Sequence, residues 1–185
     1  MIKTRKDLKE YIQADLKRYP TPPRFASRIL HTEKYFVWKQ IKNLRLLEFY
    51  ENNKRNVFYR ILYYFQLVKY YRIMHKNQMY LYPNVFGPGL YVPHLGRILT
   101  PPNAKVGCNC TIRPGLLIAT NLGVKNTKKH FITIGDNVEF SEDVKVLCKK
   151  IGNNVVIGPN TVVSRNIPDN KTVYAPICEI IDRDI

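Results

Sequence analysis

The sequence predicts an α+β protein, with helices in its first part followed by short parallel strands wound into a coil. Two observations carry that expectation. Apolar, mostly branched residues recur every six positions at Val106, Ile112 and Ile118, at Ile134, Phe140 and Val146, and at Ile151, Ile157 and Val163. A period of six fits neither a helix nor an alternating strand, but it fits short strands joined by tight turns. Such repeats bury their apolar side only by stacking on their neighbours, which makes a solenoid. The second observation is a change of texture near Tyr80, where Pro and Gly become frequent and Val and Ile replace Leu.

The helical part comes first. Residues 4–18 read as an amphipathic helix with Thr4 as cap and Leu8, Tyr11, Ile12 and Leu16 on one face. Tyr19-Pro20-Thr21-Pro22-Pro23 ends it, because proline removes a backbone donor and disfavours helix at the residue before it. A second helix is expected over His31–Glu51 and a third over Val57–Lys76, with Asn52-Asn53 near the turn between them. The boundary falls near 77–82, giving an α-helical region over 1–78 and a repeat domain over 79–185. Small residues (Gly107, Ala119, Gly135, Ser141, Gly152, Gly158, Ser164) follow many of the beats, and turn formers such as Asn153-Asn154 come next. The step from Val146 to Ile151 is one residue short, which a corner can absorb. Over Thr120–Thr133 the beat is lost, so this Lys-rich segment should leave the coil as a loop, where binding groups concentrate.

Composition narrows the partners. The formal net charge is +16, and residues 1–78 carry 18 Lys/Arg against 6 Asp/Glu. Solvated basic helix faces explain this most simply. An anionic membrane touched peripherally by the N-terminal helices, or a phosphorylated ligand, is compatible with it; nucleic acid is not the expected partner. The most lipid-like stretch, Val57–Tyr71, is too short to span a bilayer and contains Arg60 and Lys69. It is expected to pack on the solenoid, another helix or another subunit. Four cysteines lack zinc spacing, so no metal is expected, and without a secretory signal reduced thiols in a cytoplasmic protein are the default.

Several segments, FGPGLYVPHLGRIL, NAKVGCNCTIRPGLLIA, ITIGDNV, KIGNNVVIGPNTVVSRNIPDN and VYAPICEII, resemble the hexapeptide-repeat acyltransferases, and among them the serine acetyltransferase branch. The resemblance implies a left-handed parallel β-helix, an exception to the right-handed crossover rule. It also implies a homotrimer with active sites between neighbours, and acetyl-CoA as co-substrate for O-acetylation of serine. His94, in VPHLGRI, matches the family's base. An imidazole with an ordinary pKa near ~6.5 suits deprotonation of a hydroxyl. His130 corresponds to a second family histidine that would bind the acceptor carboxylate with Lys129, or it is a loop histidine without a role. Asp15, in QADLKRYPTP, resembles an acid that reaches the acceptor's amino group, though a helix-surface role reads equally well. Lys125, Lys128 and Lys129 would attract the coenzyme phosphates or simply be solvated. By position, coenzyme contacts would come from around Ala119, Glu142 and Pro159, with oxyanion donors near Ala119 or Glu142.

Three departures stand against the family pattern. Met79 occupies the place of the carboxylate that orients the histidine. Phe140-Ser141-Glu142-Asp143 replaces a small-residue turn and adds negative charge. Ile177-Cys178 lacks the basic residue of the C-terminal signature. Met79 and the acidic turn keep open a non-catalytic trimeric scaffold that binds a membrane or a partner enzyme. Lys129-His130 in place of the family's Arg-His pair favours the other alternative, an O-acetyltransferase acting on a cell-surface sugar.

Overall fold

The computed structural model describes residues 1–23, 25–119 and 132–176. The helices are α1 (Arg5–Lys17), α2 (Phe25–Ile29), α3 (Glu33–Asn53) and α4 (Val57–Asn77). Thr4 caps α1 in a reciprocal box: its side chain accepts from the Asp7 N–H and the Asp7 carboxylate accepts from the Thr4 N–H. Those bonds hold the exposed Asp7 carboxyl below its usual range. The helix expected over 31–51 begins two residues later, and the short α2 precedes it. His31 sits at a φ of 47° and Thr32 is extended, so the chain turns before α3 can start.

α3 lies against α1, α2 and α4. Its Val37, Ile41, Leu44 and Leu47 join Tyr70 and Met74 of α4 in a core that runs on into the coils through Met79, Val92 and Ile98. The stretch Val57–Tyr71, expected to be covered, is covered on one side only. Gln66 and Tyr70 are buried, whereas Val57, Phe58, Ile61, Tyr64, Phe65 and Val68 are exposed. Among the described residues no helix is long and apolar enough to cross a membrane.

From Met79 the described residues wind through short strands: β1 (Met79–Tyr80), β2 (Ile98–Leu99), β3 (Ala104–Val106), β4 (Thr111–Ile112), β5 (Leu117–Ile118), β6 (Ile132–Ile134), β7 (Glu139–Phe140), β8 (Lys145–Val146), β9 (Lys150–Ile151), β10 (Val156–Ile157), β11 (Val162–Val163) and β12 (Thr172–Val173). They form three parallel sheets, ordered β1-β2-β5-β8-β11, β12-β10-β7-β4 and β3-β6-β9. Each full turn places one strand in every sheet, so the coil is a three-sided prism. Glu139 pairs with Val156, a coil of 17 residues (139 to 156), which contains the short step between Val146 and Ile151. Thr111 pairs with Glu139 across 28 residues (111 to 139), the longer interval that contains the off-beat segment.

All nine beat residues named above are buried, pointing into the prism. The corners are built by residues that tolerate the left-handed region. Asn109, Asn137, Asn154 and Asn170 have φ of 54–58°. Their amides form a ladder, each Nδ2 donating to the next Oδ1 at 3.2, 2.9 and 2.8 Å. Close stacking excludes side chains beside it: a Cβ on Gly107 would lie 2.6 Å from the Gly135 carbonyl oxygen.

Candidate active site

His94 lies where the chain turns between Tyr91, which bridges to Thr111 at the edge of the β4 sheet, and β2. The same prism edge carries, coil above coil, Pro114-Gly115, Glu142-Asp143 and Pro159-Asn160. The Asp143 N–H donates to Pro114 O and the Asn160 N–H to Glu142 O, both at 3.0 Å. His94, Glu142 and Pro159 therefore share one edge. Ala119 follows β5 and lies at a different edge, where the chain leaves toward β6. Its N–H donates to Val146 O at 2.9 Å, so it is committed to the ladder rather than offered to an oxyanion as expected. His130 and Lys129, with Lys125, Lys128 and Cys178, lie outside the described residues.

What holds His94 is a carboxylate the sequence reading missed. Glu33, the first residue of α3, accepts from the Leu95 N–H through Oε1 at 2.7 Å and faces His94 Nδ1 through Oε2 at 3.3 Å. A carboxylate can only accept, so Nδ1 carries the hydrogen and the basic nitrogen is Nε2. Met79 is wholly buried, and its carbonyl accepts from Gln40 Nε2 at 2.5 Å. The carboxylate that meets His94 thus comes from a helix terminus and not from the coils. Beside Glu33 lies a cavity of about 490 Å³ lined by Thr21, Pro22, Ser27, Thr32, Glu33 and Lys34. It offers hydroxyls and one cation beside Glu33.

Asp15 requires a correction. Expected to contact an acceptor, it is fully buried at the centre of the α1 apolar face. Its Oδ2 accepts from Arg45 Nε at 2.7 Å, and its Oδ1 from Arg45 Nη2 at 3.2 Å and from the Gly89 and Leu90 N–H groups at 2.8 Å each. Arg45 Nη1 donates to Glu48 and to Phe86 O, and Nη2 also to Gly87 O, so all five guanidinium hydrogens have acceptors. The triad ties α1 and α3 to residues 86–90, the chain entering the His94 turn. Burial drives the Glu48 carboxyl pKa up while Arg45 opposes it. Tyr19 continues the clamp: its hydroxyl donates to Val92 O at 3.2 Å and its ring meets Tyr91 and Trp38 edge-on.

The acidic turn is answered locally. Arg113 reaches Glu139 at 2.7 Å and Glu142 at 3.5 Å, and Lys145 Nζ donates to Asp143 O at 2.9 Å. A cavity of about 370 Å³ runs along this edge between Arg97, Leu99, Pro114, Leu117, Glu142 and Lys145. Among the described residues, no group of three or more His, Cys, Asp and Glu is placed to hold a metal ion. Cys108, Cys110 and Cys148 are unbridged, and burial pushes the Cys110 thiol up to about 12, which makes it inert packing.

Prism and corner ladder define a fold: helices followed by a left-handed parallel β-helix, as in the solved serine acetyltransferases to which the chain is similar. Within it the chain has serine acetyltransferases as homologues. The serine acetyltransferase of Staphylococcus aureus is 33% identical over 99 residues, 53% of this chain and 46% of that protein. The chain thus spans about half the length of the curated relatives it matches. Soybean serine acetyltransferase complexed with serine is similar with a TM-score of 0.71 and 18% identity, over 95% of this chain and 70% of that one. A serine acetyltransferase in complex with CoA gives 0.64 and 18%, over 95% and 68%. No protein-family model matches the chain.

Proposed function

We propose that this protein is an acetyl-CoA-dependent O-acetyltransferase with L-serine as acceptor. The observation that carries the proposal is His94 at a prism edge, fixed by Glu33 with Nε2 as its basic nitrogen. The acceptor hydroxyl gives its proton to Nε2 as its oxygen attacks the thioester carbonyl. The tetrahedral intermediate then expels the coenzyme thiolate, which recovers that proton from the imidazolium. Glu33 holds the ring in one tautomer and balances its transient charge. Homology to serine acetyltransferases, one of them bound to serine and another to CoA, supports both substrates.

The site residues divide between two prism edges, and a neighbouring protomer is the means of joining them. His94, Glu142 and Pro159 would come from one protomer. Ala119 and the off-beat segment, whose Lys129 and His130 are the candidate acceptor contacts, would come from the next. Val156 and Val162, exposed on either side of the Pro159-Asn160 corner, suit that packing. The assembly is a homotrimer, as the resemblance to serine acetyltransferases implies, and light scattering should return about three times the 21.7 kDa chain mass. The basic N-terminal helices would remain outside it, in contact with solvent or an anionic membrane.

Thiol release from acetyl-CoA tests the reaction, with L-serine, an amino sugar or no acceptor. Serine-dependent release is the expected result; none with any acceptor would leave only the scaffold. A sugar acceptor is the second reading, favoured by the commitment of Asp15 to Arg45, which removes the expected contact to an amino group. Glu33→Gln keeps an acceptor for Leu95 N–H but loses the charge. It should lower kcat by about one to two orders of magnitude with KM for acetyl-CoA unchanged. Wild-type kcat in that variant would remove Glu33 from the mechanism and leave His94 to be judged by its own variants.

A further inference from the structure

α4 is the least explained element of the molecule. Its inner side, through Gln66, Tyr70 and Met74, closes the core. Its outer side is a continuous stripe of Val57, Phe58, Ile61, Tyr64, Phe65 and Val68, with Phe58 65% and Phe65 74% exposed. The positions step by three and four, so they lie on one helix face. Toward the C-terminus the same face turns basic: Lys69, Arg72 and Lys76 are exposed, and Arg60 flanks the apolar half. Lys54 and Arg55 precede the helix, and its 21 residues contain no Asp or Glu. Between α3 and α4 opens a groove of about 590 Å³ lined by Lys39, Tyr64, Phe65, Val68, Lys69, Arg72 and Ile73. Its floor is aromatic and aliphatic, and all its charged groups are cations.

We infer that this face of α4, with its groove, docks on the surface of an anionic phospholipid bilayer. Charge decides between the occupants. A second copy laid face to face would cover the apolar stripe but would leave Lys69, Arg72 and Lys76 with no carboxylate on either helix to answer them. An anionic bilayer answers both halves of the face. Its phosphates meet the cations, and its acyl boundary takes the aromatic side chains, as for helices that lie in the interface plane. Insertion across the bilayer is excluded for α4 by its cations and its mean hydropathy. The inference rests on the geometry of α4 and not on the acetyl-transfer reading.

The test is sedimentation of the full chain with vesicles of phosphatidylcholine alone and of phosphatidylcholine mixed equally with phosphatidylglycerol. Pelleting with the mixed vesicles only, weakened by salt, is expected. The double variants Phe58→Gln/Phe65→Gln and Lys69→Glu/Arg72→Glu change exposed side chains. Each should weaken binding by about tenfold or more while leaving thermal unfolding and thiol release in vesicle-free solution unchanged. Equal pelleting with neutral vesicles, or none with either, would overturn the inference. So would a fall in oligomer mass in the Phe58→Gln/Phe65→Gln variant, which would show that another copy of the chain covers the face.

Discussion

Replacing His94 by alanine is expected to lower acetyl transfer by about 10²–10⁴-fold while leaving KM for acetyl-CoA nearly unchanged. The imidazole meets only the acceptor proton, whereas the coenzyme is assigned to the edge formed by Glu142, Pro159 and a neighbouring protomer. His94→Asn keeps size and polarity but supplies no base near neutral pH, so it should be nearly as inactive. That pair separates proton transfer from packing, and the exposed position of His94 makes misfolding a poor explanation for either loss. Steady-state kinetics with both substrates varied gives the answer. If His94→Ala keeps most of the wild-type turnover, the mechanism falls and the fold remains.

The second large effect is on stability. Arg45→Met should destabilise the chain by about 3–5 kcal/mol, read from the denaturant midpoint, because it strands Asp15 and Glu48 as buried carboxylates. That is a large share of the about 5–15 kcal/mol available to a domain. The pH dependence identifies the cause. The Glu48 pKa is already raised by burial despite Arg45, and without the guanidinium it rises further. A carboxyl whose folded pKa exceeds its unfolded one favours the fold when protonated, so the deficit of Arg45→Met should shrink as pH falls from neutral toward acid. Exchanging all three charged groups for apolar residues of similar volume should cost less than removing Arg45 alone. An Arg45→Met protein with wild-type stability would show that the triad is dispensable.

Asp15 shows how far local pattern reaches. It stands among Leu8, Tyr11, Ile12 and Leu16, and an acid inside an apolar helix face is a signal of burial. Its partner Arg45 lies thirty residues on (15 to 45), at no spacing that a helix or strand period could reveal. Glu33 gave no signal at all. It reaches His94 because the proline turn after Tyr19 and the short α2 fold the chain back, placing the start of α3 beside a turn far along the sequence. The outer face of α4 was equally silent, since a helix apolar on nearly every side does not tell which side is covered.

What this sequence determined by itself is everything that repeats. Nine beat residues, the one-residue contraction and the Thr4 cap are set by contacts within a coil or a helical turn, so spacing alone encodes them. Stacking then multiplies the same local rule, and the corner asparagines extend it from coil to coil. Only the tertiary structure decided the pairings that occur once: Glu33 with His94, Asp15 with Arg45, and α3 against a single face of α4. Each joins side chains distant along the chain, and its energy depends on burial and on charge at a few ångströms, quantities that exist only after the helices have packed against the coils.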